Sequence, residues 1–133
     1  MSFLIDTNVV IHLRDGNADV ARQMAELDGL PVLSMITRIE LENGIYREPE
    51  WAEMRRVNLD AILRWSATID FCNEELQAYR SILEHAGFSK PKVLDRMIAA
   101  TALAHDLTLI TMNGKNFRDI PGLKLVVWET PAI

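Results

Sequence analysis

Residues 3–8 read Phe3-Leu4-Ile5-Asp6-Thr7-Asn8. Three apolar residues suit a short buried strand, and a carboxylate follows at once. Asp6 is therefore both a good N-cap for a helix from about Thr7 and a metal- or proton-handling group pinned at a strand end, where Thr7 and Asn8 can orient it. These residues alone leave both readings open.

The same pattern recurs along the chain. Pro31-Val32-Leu33, Thr68-Ile69-Asp70-Phe71-Cys72, Leu107 to Thr111 and Lys124 to Trp128 are further short strand candidates. Helical patterns lie between them. Asn73 is a candidate N-cap with Glu74 and Glu75 in the first turn, Leu76, Tyr79, Leu83 and Ala86 form its stripe, and Gly87 ends it. Met54, Val57, Ala61 and Trp65 form a second stripe after Pro49. A third, alanine-rich helix runs from about Val93 to His105, with Leu94, Met97, Ile98, Thr101 and Ala102 on one side. Strands alternating with helices imply right-handed crossovers. The expected fold is an α/β/α sandwich with a central, mainly parallel sheet of four to five strands, in a single domain over residues 1–133.

Composition agrees. With 133 residues, 49% hydrophobic and 25% charged, the chain is long enough for one packed core and is not a disordered or low-complexity polymer. The longest nearly apolar stretch, Met97 to Ala104, falls far short of the ~20 residues that span a bilayer, and Asp6 interrupts any signal-peptide core at the start. The single cysteine, Cys72, points to a reducing cytoplasm. A net charge of −5 repels nucleic acid, so such a partner needs a local basic patch or a bound cation.

Sheets of this kind collect chemistry at the carboxyl ends of their strands. Asp6 lies there, and three other residues are expected beside it. Glu40 follows the second strand, although Thr37-x-x-Glu40 is also a formal capping box. Glu42, two residues on, faces elsewhere. Asp95 lies in a first helical turn, where the helix dipole favours an acid whatever its role. Asn113 follows the fourth strand, although Asn113-Gly114 is foremost a turn dipeptide. Two carboxylates ~4 Å apart repel by about 4 kcal/mol at an effective dielectric near 20, so an ionised cluster calls for a cation. Oxygen ligands select Mg²⁺ or Mn²⁺.

Four segments in this order resemble the PIN-domain ribonucleases, and among them the VapC-type toxins of prokaryotic toxin–antitoxin pairs. They are Leu4-Ile5-Asp6-Thr7-Asn8, Ile36-Thr37-x-x-Glu40-Leu41-x-x-Gly44, Asp95-x-x-Ile98-Ala99-Ala100-x-Ala102 and Leu109-Ile110-Thr111-x-Asn113, followed by Phe117 and Pro121-Gly122-Leu123 through Trp128. The resemblance implies an endoribonuclease that uses Mg²⁺ held by Asp6, Asp95 and Glu40, with Asn113 completing the catalytic set. Thr111 and Asn113 would bond water carried by the metal. Many PIN nucleases carry an aspartate near Asn113 or Asn116, where this chain has amides. Lys90, Lys92 and Arg96 are the candidate phosphate contacts, with Lys115 and Arg118 behind them. The resemblance also implies a homodimer silenced by a VapB-like, DNA-binding antitoxin in a larger hetero-oligomer, and the apolar helix from about Glu50 to Trp65 is the expected groove for it.

Other chemistries lack their signatures. Gly114-Lys115 has no Walker loop around it, and His12, His85 and His105 have no zinc spacing. Asn8 stands where an aspartyl phosphatase needs its second acid. The alternative from another class is a PIN fold that has lost catalysis and only binds a partner protein.

Overall fold

The computed structural model describes residues 2–132. Five strands, β1 (Ser2–Ile5), β2 (Leu30–Ser34), β3 (Ala67–Ile69), β4 (Thr108–Thr111) and β5 (Lys124–Val127), form one sheet in the order β3-β2-β1-β4-β5. Every neighbouring pair is parallel. The chain therefore builds outward from β1 to β2 and β3, then returns to pair β4 against the other side of β1. That reversal opens a crevice between the carboxyl ends of β1 and β4, where ligands bind in sheets of this topology.

Six helices cover the sheet: α1 (Thr7–Arg14), α2 (Ala18–Ala25), α3 (Met35–Arg47), α4 (Ala52–Leu63), α5 (Asn73–Ala86) and α6 (Val93–Ala104). Strand alternation divides the core into two layers. Leu4, Val32 and Leu109 pack with Ile82, Ile98 and the α6 alanines, whereas Ile5, Leu33 and Ile110 pack with Val9, Val20, Leu41 and Leu59. Ala99, Ala100 and Ala102 are fully buried, so the alanine-rich helix seats closely as expected. Gly44 serves a close approach of another kind: a Cβ there would lie 3.3 Å from a guanidinium nitrogen of the buried Arg14.

Several expectations are corrected. The helix α2 was not anticipated, although Asn17 caps it by accepting from the Val20 N–H at 3.0 Å. The third strand stops at Ile69 and leaves Asp70, Phe71 and Cys72 outside the sheet. Asn73 is the first residue of α5, and Cys72 is its N-cap. The buried stripe of α5 centres on Glu75 and Ile82 and leaves Leu76 exposed. The cause is the Glu75 carboxylate, which accepts from the Cys72 N–H and bonds His105 Nε2, both at 2.7 Å, turning that face inward. Leu94 is 49% exposed, so the inner face of α6 begins at Arg96 and Ile98.

Candidate active site

Asp6 caps α1 and also lines a pocket. Its Oδ1 accepts from the Thr7 N–H at 2.8 Å and its Oδ2 from the Thr111 hydroxyl at 2.6 Å. The pairing of β1 with β4 brings Thr111 there, and the Asp6 N–H donates to the Ile110 carbonyl at 2.9 Å. Burial pushes the Asp6 carboxyl up to about 6, and the nearby Asp95 and Glu40 push the same way against those two hydrogen bonds. Thr111 is thus engaged with Asp6 and also accepts from the Asn113 N–H at 3.0 Å, so it orients the acid. Asn8 likewise does not orient Asp6; its side-chain oxygen accepts from the Met112 N–H at 3.3 Å.

Glu40 does not close a capping box. The cap of α3 is Ser34, whose hydroxyl accepts from the Thr37 N–H at 3.0 Å. Released from capping, Glu40 Oε1 accepts from the Thr7 hydroxyl at 2.6 Å. Glu42 points elsewhere and pairs with Arg56. Asp95, in the first turn of α6, accepts from the Asn116 side-chain amide at 2.7 Å. Asn113 precedes a 3-10 turn at Gly114–Asn116 with a backbone φ of −119°, so Asn113-Gly114 does not form the tight hairpin turn its sequence suggests. Gly114 is needed for space: a Cβ there would sit 2.8 Å from the Val127 side chain and 3.3 Å from an Arg118 guanidinium nitrogen.

Asp6, Glu40, Asp95 and Asn113 all line one concavity of about 230 Å³, together with Thr7, Asn8 and Ile11. Its polar donors are oxygens and amides only, a set suited to Mg²⁺ or Mn²⁺ and not to zinc. The acids are spread around the pocket. Among the described residues, the acid and histidine group whose ligand atoms all lie within 4.8 Å of one another is Glu74, Glu75 and His105, and Glu75 and His105 are already bonded to each other.

The expected phosphate contacts divide. Arg96 is overturned: it is 2% exposed and donates to the Gly87 carbonyl at 2.5 Å, with Asp119 at 3.5 Å. Lys92 is 3.4 Å from the same Asp119, while Lys90 is exposed. Sequence reasoning missed the Thr7 hydroxyl as the clamp on Glu40. A polar residue directly after Asp6 was visible, but its target lies 33 positions away and needs the fold.

A sequence model of the PIN domain family matches residues 3–123. The chain belongs to the PIN domain family. It is 30% identical over 135 residues to Ribonuclease VapC2 of Rickettsia felis, a match covering 97% of this chain and 99% of that one. Ribonuclease VapC1 of the same organism is 29% identical over 134 residues, covering 95% and 96%. Among solved structures, this PIN domain is similar to VapBC2 from Rickettsia felis bound to a promoter DNA fragment, with a TM-score of 0.86 and 27% identity over 97% of this chain and 100% of that one. A toxin–antitoxin complex from Klebsiella pneumoniae is also similar, with a TM-score of 0.74 and 26% identity over 96% and 99%. The five-stranded parallel sheet flanked by helices is thus the PIN-like α/β/α fold expected from the sequence. Among the described residues no helix is long and apolar enough to cross a membrane.

Proposed function

We propose that this PIN domain is a divalent-metal-dependent endoribonuclease, the toxin of a VapBC-type pair. The observation that carries the reading is the convergence of Asp6, Glu40, Asp95 and Asn113, from four separate stretches of chain, on one pocket at the β1/β4 crevice. The similarity to ribonucleases named VapC supports the substrate class.

Asp6 and Asp95 would hold Mg²⁺ or Mn²⁺, with Glu40 lining the same pocket. Their fit is a matter of charge: a buried carboxyl raised to about 6 beside two further acids is an arrangement that a cation relieves. When bound, the cation polarises a phosphate oxygen and acidifies water. Thr111 and the Thr7 N–H fix both oxygens of Asp6, and the Thr7 hydroxyl fixes one oxygen of Glu40. The other Glu40 oxygen then accepts a proton from the attacking water or helps hold a second ion. Asn113, a neutral group at the pocket rim, orients water or phosphate without adding charge.

The proposed partners are RNA and an antitoxin, since similar solved structures are VapBC complexes. The assembly would be a homodimer, larger when antitoxin-bound, working in the cytoplasm. A second reading, a protein-binding PIN fold with weakened catalysis, is favoured by the amides at Asn113 and Asn116. Mg²⁺-dependent cleavage of structured RNA by wild type and by Asp6→Asn tests both. Cleavage lost in the mutant supports the nuclease; a wild type that binds antitoxin but leaves RNA intact in Mg²⁺ selects the binding module.

A further inference from the structure

Phe88 is the most exposed large hydrophobic side chain among the described residues, at 74%. An exposed phenylalanine usually sits on a loose segment, but this one does not. Gly87, with φ of +77°, ends α5, and its carbonyl is held at 2.5 Å by the buried Arg96 of α6. The 3-10 turn Lys90–Lys92, with Pro91 as its second residue, leads straight into α6, and Lys92 is tied to Asp119. Asp119 also meets Arg96, while Asn116, three residues earlier, holds Asp95. One network therefore fastens the Phe88 loop, the first turn of α6 and the 116–119 segment together, beside the acidic pocket.

The charges on this rim are unusual for an acidic protein. Among the described residues Lys90 and Arg118 are exposed and have no carboxylate within ion-pair distance. Arg118 folds over Gly114 next to the pocket residue Asn113. An exposed aromatic ring on a fastened loop, with exposed unpaired cations on the segments of the same network, is the combination that stacks an unpaired base while the cations take neighbouring phosphates. We infer that Phe88 is a stacking platform for an unpaired base of the RNA substrate, with Lys90 and Arg118 as its phosphate contacts. The inference rests on the ribonuclease reading and deepens it: the substrate strand must be single-stranded where it meets this rim.

The test is steady-state cleavage in Mg²⁺ of a mixed-sequence RNA, single-stranded and annealed to its complement. Phe88→Ala should raise KM for the single strand by about fivefold or more with kcat little changed. Phe88→Trp should restore it, whereas Phe88→Leu, apolar but not aromatic, should behave like Phe88→Ala. Lys90→Ala and Arg118→Ala should each lower the salt-dependence slope of log KM by about one. The inference is overturned if Phe88→Ala keeps the wild-type KM while wild type cleaves; the ribonuclease reading then survives. It is also overturned if Phe88→Leu keeps wild-type KM while Phe88→Ala alone loses activity and dissociates into monomers, which marks an apolar protein contact. A wild type that cleaves structured RNA but neither of these two overturns this inference alone, and one that cleaves no RNA in Mg²⁺ sinks the ribonuclease reading with it.

Discussion

Thr7 Oγ1 donates to Glu40 Oε1 at 2.6 Å, and the backbone N–H of the same residue donates to Asp6 Oδ1 at 2.8 Å. One residue thus fixes two acids that the sequence places 34 positions apart. Thr7→Val keeps the branched shape and the N–H but deletes the hydroxyl. Hydrogen bonds to charged groups contribute about 1.5–3 kcal/mol, so kcat should fall by roughly tenfold to a hundredfold. The Mg²⁺ dependence should change less, because the hold on Asp6 remains. Single-turnover cleavage across a metal titration separates the two effects; an unchanged kcat would deny Glu40 its role.

Metal-free stability should depend on pH through Asp6. Its carboxyl titrates at about 6 when folded against an ordinary 3.8, so the folded chain binds this proton more tightly than the unfolded chain does. The group therefore favours folding at low pH, and that advantage is lost as pH rises from about 4 to about 6, by up to about 3 kcal/mol. Other acids oppose the trend. Burial alone would raise Glu75 and Asp119, but hydrogen bonds from Cys72 and His105, and from Lys92, hold them below the usual carboxylate range. Their stabilisation is lost as pH falls. The difference between wild type and Asp6→Asn isolates the Asp6 part. In EDTA the mutant should be the more stable at pH 7, and the gap should close towards pH 4. Parallel melting curves at all pH values would refute the assignment.

Asn113 lines the pocket as an amide. Asn113→Asp should tighten Mn²⁺ or Mg²⁺ binding and lower the metal concentration giving half-maximal rate. An unchanged titration would mean that the side chain only edges the pocket.

The outward face of α4 is the expected antitoxin surface. Leu59 and Ile62 face the core, which leaves Trp51, 47% exposed, beside Met54, Arg55 and Asp15 around a pocket of about 240 Å³. Trp65 is exposed at the far end of the helix. Trp51→Ala should weaken binding of the co-encoded antitoxin by roughly tenfold or more, while cleavage by the free chain stays near wild type. Calorimetry measures it, and equal affinity would move the antitoxin to another face.

The legibility of the sequence differed by element. Short apolar strands ending in polar residues revealed the parallel sheet because buried parallel strands need that pattern at every position. Asp6, Glu40, Asp95 and Asn113 stood out because each follows a strand or opens a helix at the same sheet edge. What stayed hidden depends on contacts distant in sequence. Thr37-x-x-Glu40 is a capping box by spacing, yet Ser34 takes the cap and Thr7 takes Glu40. Arg96 reads as a surface cation because burial of a guanidinium is uncommon without partners, and its partners, Gly87 and Asp119, are set by the fold. Glu75 reads only as a first-turn acid, since nothing but the packing of α5 on α6 brings His105 to it.

The central claim is that Asp6 and Asp95 hold a divalent cation at the β1/β4 crevice. It is tested most directly by melting temperatures in EDTA and in Mg²⁺ for wild type and for the Asp6→Ala, Asp95→Ala double mutant. The account predicts that Mg²⁺ raises the wild-type melting temperature and leaves the double mutant's unchanged, while the double mutant in EDTA melts no lower than wild type. An equal rise in both proteins would place the cation elsewhere and contradict it.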